Sequence, residues 1–302
     1  FTHAFFKALL FLGSGSVIHA VSDEQDIRKM GGLYKLIPTT WIVMLIGTLG
    51  LTGAPLMSGY YSKDGIIEAA FVSTSQGHYY AFYLLVFSAL LTSFYSWRLI
   101  FLTFHGQNNI SKETFSKIHE SPLVMLFPLF ILTFFTIFSG AYFVDYFMSY
   151  DYQFLWKGSI YLSESNHVIE AIHHVPKWVK YSPLLMMIIG LVTSFFFYIV
   201  SPSIPKYLAS SFKPLYKFLL NKWYFDELYE FLFVANIKKL GSFLSYFGDK
   251  KIIDGFGPDG ISSRILFFAQ QISRLQTGYI YHYAFAMLFG LTIFISYFFL
   301  KG

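Results

Sequence analysis

Apolar residues are grouped along this chain in long blocks that are separated by polar segments. Six blocks are long and apolar enough to cross roughly 30 Å of hydrocarbon as helices of about 20 residues. They cover residues 1–20, 38–60, 79–104, 123–144, 183–200 and 279–300. The run FILTFFTIF at 130–138 is almost continuously apolar, which is typical of a membrane helix and not of an alternating barrel strand. The pattern predicts an all-α polytopic membrane protein with about six transmembrane helices.

Basic residues in the connecting segments predict how the spans are oriented. Lys and Arg concentrate in segments 21–37, 105–122 and 201–278, which six crossings place on the same side of the membrane. The positive-inside rule assigns that side to the cytoplasm or to the mitochondrial matrix. The chain opens on Phe1, inside an apolar block and without a signal peptide. We therefore expect the sequence to begin within a longer protein.

Segment 201–278 is amphipathic and not apolar all round. Two apolar stripes recur in it at steps of three and four residues: Phe233, Ile237, Leu240, Leu244 and Phe247, then Ile261, Ile265, Phe268, Ile272 and Leu275. The glycine-rich stretch 248–260 between the stripes predicts a turn or break, which leaves open whether 223–277 is one helix. We predict a helical bundle at 1–200, a long amphipathic lateral helix region at 201–278 and a terminal transmembrane helix at 279–302. The lateral region fits either the membrane interface of its own bundle or a brace across neighbouring subunits.

Composition excludes several classes of protein. Hydrophobic residues make up 55% of the chain and charged residues 13%, about half the charged share of a typical soluble domain. A soluble enzyme or a nucleic-acid-binding protein is therefore not expected, despite the net charge of +5. With no Cys, the chain offers no disulfide, no thiol nucleophile and no thiolate ligand for an iron–sulfur cluster. It also contains no dinucleotide-binding, P-loop or zinc-protease motif.

Lys7 is one of two lysines that fall where lipid is expected. It follows His3 by four residues in the first span, so both side chains lie on one helix face. A charged side chain inside a membrane is costly and usually belongs to a proton or ion pathway. This pair could relay protons, because a neutral imidazole accepts a proton that an ammonium releases. The alternative is that Phe1 lies near the interface and Lys7 extends to it.

Lys63 is the second lysine, and it follows a group of helix-breaking residues. These predicted breakers are Gly53, Pro55 and Gly59. Broken membrane helices expose free backbone groups where a polar cavity is lined. We predict that Lys63 and Asp64 fall between two helical halves, with the ammonium against carbonyl ends and Asp64 as its counter-charge. The alternative is an ordinary loop ion pair after a span that ends at Tyr60.

Other charged positions support weaker interpretations. Arg98 near the end of its span is expected to reach the interface or to pair, and Glu68 fits either a pore or a solvated loop. A polar loop holds four possible metal ligands: His167, Glu170, His173 and His174. We favour a solvated turn over a metal site there, because no recognised ligand pattern accompanies the cluster.

Several motifs resemble a known family along nearly the whole chain. They are THAFFKALLFLGSGSVIHA at 2–20, EQDIRKMGGL at 24–33, LTGAPLMSGYYSKDGII at 51–67, SFYSWRLIFLTFHG at 93–106, NKWYFDELYEFLF at 221–233, IIDGFGPDG at 252–260 and LQTGYIYHYAFAMLFG at 275–290. The sequence resembles the antiporter-like subunit L (mitochondrial subunit 5) family of proton-pumping NADH:quinone oxidoreductase, in its C-terminal portion. The first three motifs are also shared with the large subunit of multisubunit Na⁺/H⁺ antiporters, which is the alternative function. A third possibility is a mainly structural clamp.

The resemblance implies roles for individual residues. Lys7 would be a central proton-relay lysine with His3 on its path, and Lys63 a terminal proton-exchange residue beside Asp64. The family's other essential Glu and Lys pair has no counterpart in these residues, so only one half-channel is expected.

The resemblance also implies partners and a location. Electron transfer from NADH to quinone would take place in other subunits, and those subunits would carry FMN and iron–sulfur clusters while this chain carries no cofactor. Expected partners are the other membrane-arm subunits of respiratory complex I and the lipid bilayer, with no nucleic acid. The expected location is the inner (plasma) membrane of a bacterium, or alternatively the mitochondrial inner membrane.

Overall fold

A computed structural model describes residues 1–149, 152–161, 163 and 166–301, and these residues contain helices and no β-strand. The chain divides into two compact units, Phe1–Phe212 and Lys213–Gly302. The first unit contains α1 (Thr2–Ala20), α2 (Pro38–Thr52), α3 (Ser58–Val72), α4 (His78–Ile100), α5 (Lys112–Phe115), α6 (Leu123–Met148), α7 (Tyr152–Trp156), α8 (Val168–Ile172), α9 (Lys177–Phe195) and α10 (Ser203–Ser211). Helices α4 and α9 each continue into a π-helical turn, which ends at His105 and Val200 respectively. The predicted all-α class is confirmed.

Among the residues that the structure describes, four helices are long and apolar enough to cross a membrane. They are His78–His105, Leu123–Met148, Lys177–Val200 and Ile280–Lys301. They match the predicted blocks 79–104, 123–144, 183–200 and 279–300. Helix α1 and the shorter apolar helix Pro38–Thr52 lie in the other two blocks, whose assignment as spans stays a prediction.

The helix in the fifth block begins at Lys177, earlier than the predicted start at Pro183. Its first turns are held by tertiary packing, since Val179 is fully buried in one cluster with Ile67, Phe82 and Val86. Burial of that kind outweighs the local helix-breaking tendency of Pro183, which lies inside the helix.

The first unit has its largest apolar core at the end of the bundle where α1 leads into α2. This cluster joins residues of α1, α2, α4 and the loop between α1 and α2: Val17, Ala20, Val21, Met30, Leu33, Ile37, Met44, Trp97, Ile100 and Phe104. A smaller cluster of Leu9, Val43, Leu126 and Leu129 joins α1 and α2 to α6. Helix α3 packs against four helices along most of its length: α4, α6, α8 and α9. The bundle therefore surrounds α3 more completely than it surrounds α1.

The second unit contains the predicted amphipathic segment from residue 213 onward and the last helix, whereas α10 belongs to the first unit. Its helices are α11 (Lys213–Leu220), α12 (Phe225–Tyr229), α13 (Ala235–Phe243), α14 (Pro258–Ser273) and α15 (Ile280–Lys301). Two π-helical segments, Glu230–Val234 and Leu244–Asp254, keep the chain helical between α12 and Gly255. No described residue of this unit is buried, and both apolar stripes are exposed.

The break predicted within 248–260 falls at Gly257. The helix runs through Gly248, and Gly257 adopts φ −86° and ψ −118° just before Pro258 starts α14. Pro258 has no amide hydrogen and disfavours a helical conformation in the residue before it, which explains the position of the break. Residues 223–277 are therefore not one continuous helix. The predicted division at 1–200, 201–278 and 279–302 stays a prediction.

Candidate functional site

Helix α2 ends at Thr52, and the chain does not resume a helix until Ser58. Gly53 takes the left-handed conformation, with φ 80° and ψ 40°, that commonly ends a helix. The amide of Ala54 then donates to the carbonyl of Leu49 at 2.9 Å, which closes the end of α2. Pro55 follows in the turn. The second block is thus a discontinuous helix, interrupted where Gly53 and Pro55 predict it.

Gly59 does not break the helix as predicted, because it lies inside α3. It instead allows α3 to cross α2 closely. A Cβ atom at Gly59 would lie only 1.8 Å from the carbonyl oxygen of Gly50 and 3.5 Å from the ring of Phe6 on α1. The same close approach recurs between α3 and α6, where a Cβ at Gly140 would lie 2.4 Å from the Cα of Ser58. The start of α3 is therefore held tightly among three helices.

Lys63 and Asp64 lie within α3, and not between two helical halves as predicted. Helix α3 begins earlier than the sequence indicates, because the glycine crossings just described pack its first turn. The Lys63 ammonium nevertheless reaches back over the break and donates to the carbonyl of Thr52, with a nitrogen-to-oxygen distance of 3.3 Å. That carbonyl belongs to the end of α2, where unsatisfied carbonyls and the helix dipole attract a cation.

The alternative of a loop ion pair does not describe Lys63 either. Among the described residues, the ion pairs formed by side chains do not include Lys63 or Asp64. Lys63 is half-buried and its hydrogen bond is to backbone. The hydrogen bond that holds the Lys63 ammonium is therefore made to the interrupted end of α2.

Asp64 and Glu68 are both buried on α3, with 9% and 8% of their surfaces exposed. They are separated by one helical turn, so their carboxyl groups lie along the same face. Lys180 of α9 exerts an attractive field on both carboxyl groups, and His173 exerts one on Glu68. The sequence left Glu68 undecided between a pore and a loop. Its spacing from Asp64 indicates a shared helix face, whereas its burial depends on α8 and α9, which pack against α3.

His3 and Lys7 lie on α1 and are exposed in the described chain. The His3 ring packs edge-on against Phe6 at 5.2 Å between ring centroids. No hydrogen bond within the described residues joins Lys7 to Lys63, although α1 does contact α3 beside Lys63: the Thr2 hydroxyl donates to the Ser62 hydroxyl at 2.8 Å. The structure brings together Lys63, Asp64 and Glu68, and leaves the two interpretations of Lys7 open.

The polar loop that suggested a metal site holds its side chains in other contacts. His173 Nε2 lies 3.2 Å from the carbonyl of Met148, and His167 lies 3.7 Å from Glu170. Within the described residues, no group of three or more possible metal ligands converges.

Near the other end of the bundle, the Arg98 guanidinium lies 5.5 Å from the centre of the Tyr198 ring, which is a cation–π contact.

Glu120 is a structural residue that sequence reasoning missed. Its carboxylate accepts hydrogen bonds from the amides of Thr39 and Thr40 at 2.8 and 3.3 Å, and so caps the N-terminus of α2. Ser16 on α1 joins the same buried network through hydroxyl contacts to Thr40 and Ser121. Such a cap normally comes from the residue just before the helix, whereas Glu120 lies far along the chain.

Comparison with known proteins gives two matching families that together cover most of the chain. A family described as NADH:quinone oxidoreductase/Mrp antiporter, TM matches residues 1–92, and one described as NADH dehydrogenase subunit 5 C-terminus matches residues 95–300. The first of these includes the discontinuous helix with Lys63.

Curated relatives named as subunit L or as chain 5 are 39–42% identical to the chain. NADH-quinone oxidoreductase subunit L of Rhodobacter capsulatus is 39% identical, over 96% of this chain and 50% of the relative. NADH-ubiquinone oxidoreductase chain 5 of Marchantia polymorpha is 42% identical, over 97% of this chain and 44% of the relative. Subunit L of Rickettsia bellii is 41% identical, over 98% and 46% respectively. The chain thus spans about half the length of the curated relatives it matches.

Proposed function

The chain belongs to the NADH dehydrogenase subunit 5 family, and from that premise we propose that it moves protons across a membrane as part of NADH:quinone oxidoreductase. It would be the C-terminal portion of the antiporter-like subunit that its relatives are named for. Its partners would be the other membrane-arm subunits of respiratory complex I. The expected location is an inner membrane, bacterial or mitochondrial, in keeping with both kinds of relative.

Electron transfer from NADH to quinone is assigned to partner subunits. FMN and iron–sulfur clusters would be bound there, since this chain has no Cys to hold a cluster. The described residues also bring no group of three possible metal ligands together. The contribution of this chain is the movement of protons inside the bilayer.

The observation that carries the proposal is the Lys63 ammonium at the interrupted end of α2. A lysine inside a bilayer is expensive unless polar groups surround it, and the Thr52 carbonyl is such a group. Breaking that one hydrogen bond changes how strongly the site favours the charged lysine. A rotation of the Lys63 side chain away from the Thr52 carbonyl could therefore load and unload a proton on Lys63. Asp64, the next residue, is the nearest carboxyl group along the chain.

We propose that His3 and Lys7 supply the approach to this site along α1. Their four-residue spacing places both on one helix face, and their exposure in this chain leaves room for further polypeptide or water beside them. The hydroxyl contact between Thr2 and Ser62 connects α1 to α3 at the residue before Lys63. Hydroxyl groups donate and accept at once, so this contact suits a relay.

Replacing Lys63 with Met tests the proposal, because Met keeps the side-chain volume and removes the titrating group. In membrane vesicles that hold the whole enzyme, we expect NADH-driven proton pumping, followed with a pH-sensitive dye, to fall at least about tenfold. Native gels should show the complex assembled. The exposed Lys206 of α10, replaced with Met, serves as the matched control and should pump normally. Normal pumping by the Lys63 variant would refute the proposal.

The second candidate is the large subunit of a Na⁺/H⁺ antiporter, and the family match over residues 1–92 favours it. The two functions separate in a strain without the gene. Loss of salt tolerance with unchanged NADH oxidation would support the antiporter, whereas loss of NADH oxidation would support the leading proposal.

A further inference from the structure

Glu68 is a buried acid to which the family resemblance assigns no role. Only 8% of its surface is exposed, and the hydrogen bonds and ion pairs of the described residues do not include its carboxyl group. A buried carboxyl group without a fixed partner is costly to keep charged. A group that gains and loses a proton is suited to such a position.

The position of Glu68 continues the line of acids that starts beside Lys63. Asp64 precedes it by one turn on α3, and the next charged groups beyond it belong to other elements. These are Lys180 on α9 and His173 in the turn after α8, and both attract the Glu68 carboxylate. Tyr60, one turn before Asp64, and Lys63, next to it in the chain, are further titratable groups near this pair.

Packing around Gly65 places the turn after α8 against this part of α3. A Cβ atom at Gly65, between the two acids, would collide with the side chain of Met148 at the end of α6. The carbonyl of the same Met148 lies 3.2 Å from Nε2 of His173. Helix α3 also contacts α8 and α9 directly. Because His173 and Lys180 are exposed, the line of titratable groups reaches the surface at this end of the bundle.

We propose that Glu68 carries protons between Asp64 and the surface at His173 and Lys180. The Glu68 carboxylate accepts a proton from the carboxylic acid of Asp64, which becomes a carboxylate, and then passes that proton to water or to the His173 imidazole when that ring is neutral. Each transfer moves one proton and leaves Glu68 ready for the next. The inference rests on the proposed function, because it extends the route that starts at Lys63.

Two substitutions at Glu68 separate proton transfer from structural support. Gln nearly matches the shape of Glu and cannot titrate, whereas Asp shortens the side chain and keeps the acid. If Glu68 carries protons, Glu68→Gln lowers pumping by the assembled enzyme at least about tenfold, and Glu68→Asp keeps about half or more of it. If Glu68 only supports the packing of α3, Gln performs as well as or better than Asp. That second order of activities would overturn the inference.

Controls distinguish failure of this inference from failure of the proposed function. Glu113→Gln changes an exposed acid and should leave pumping unaltered. Normal pumping by Glu68→Gln together with impaired pumping by Lys63→Met would refute the role of Glu68 alone. Normal pumping by both would refute the proposed function as well. NADH oxidation with an added uncoupler, and native gels, show whether each variant is assembled and transfers electrons.

Discussion

Lys7 and Lys63 occupy contrasting surroundings although both were predicted to lie where lipid is expected. Lys7 lies on α1, a continuous helix, and is exposed in the described chain. Lys63 lies on α3, directly after an interruption, and its ammonium reaches the free carbonyl of Thr52. The difference shows that an apolar sequence does not by itself create a proton site. An internal charge is held in place where the backbone is interrupted and offers an unsatisfied group.

The same contrast extends to the glycines of the two helices. Gly15 on α1 has open space around the position of a Cβ, while Gly59 on α3 is pressed against the Gly50 carbonyl. Close backbone contacts therefore fix α3 at Gly59, whereas α1 has no such contact at Gly15.

The largest effect is expected from Gly59→Ala. The added methyl group would collide with backbone that has no room to move, so the enzyme should lose roughly 3 kcal/mol of stability or fail to assemble. Thermal unfolding of the solubilised complex and native gels measure this. Gly15→Ala is the matched control and should leave the complex unchanged or slightly more stable. Equal behaviour of the two variants would contradict the tight crossing of α2 and α3.

Lys7→Met asks whether the exposed lysine shares the function of the enclosed one. Since the proposed route includes Lys7, pumping should fall several-fold, while assembly stays normal because the side chain has no fixed contact in the described residues. The measurement is dye quenching in vesicles, side by side with Lys63→Met. Unaltered pumping would leave Lys7 as a residue that only extends to the membrane interface.

Glu120→Ala tests how the start of α2 is anchored. Loss of the cap on the amides of Thr39 and Thr40 should cost about 1 kcal/mol and lower the Tm by about 2–4 °C. Glu113→Ala, in the same connecting region but exposed, should not change the Tm. If both variants unfold at the wild-type temperature, the cap does not stabilise α2.

The smallest effect concerns the loop between α1 and α2. The Arg28 guanidinium, together with the Arg28 amide, lowers the pKa of Asp26 from its usual 3.8 to about 2. Because the folded pKa is depressed, this contact stabilises the loop above about pH 4 and is lost as the pH falls through about 2. Hydrogen exchange of the Arg28 amide should accelerate, relative to its intrinsic rate, over that interval. Asp26→Asn should remove the pH dependence, and an unchanged profile would argue against the contact.

Local sequence predicted the interruption and failed to predict its length. Gly53 and Pro55 act through the backbone of their own turn, so their effect is visible in the sequence. The early start of α3 depends on Gly59 meeting Gly50 and on Gly140 meeting Ser58, and such pairings between distant segments cannot be deduced from one sequence.

The burial of Glu68 and the capping of α2 by Glu120 could not be deduced from the local sequence either. Whether Glu68 faces a pore or solvent depends on α8 and α9, which pack against α3 from far along the chain. Glu120 caps α2 from another connecting segment. In the second unit, the break fell at Gly257 because Pro258 follows it, whereas Gly248 lacks such a neighbour.

Chemical rescue at position 63 asks whether a positive charge at this position is what pumping requires. These 302 residues contain no natural Cys, and wild-type enzyme treated with the same reagents accounts for thiols elsewhere in the complex. Lys63→Cys removes the ammonium, and a thiol reagent that attaches an ethylammonium group restores one; a neutral ethyl reagent serves as control. Proton pumping is measured in vesicles of the assembled enzyme, with the mass of the labelled peptide confirming modification. If Lys63 carries protons, the Cys variant pumps poorly and only the ethylammonium reagent restores pumping. Wild-type pumping by the untreated Cys variant, or equal rescue by the neutral reagent, would contradict that role of Lys63.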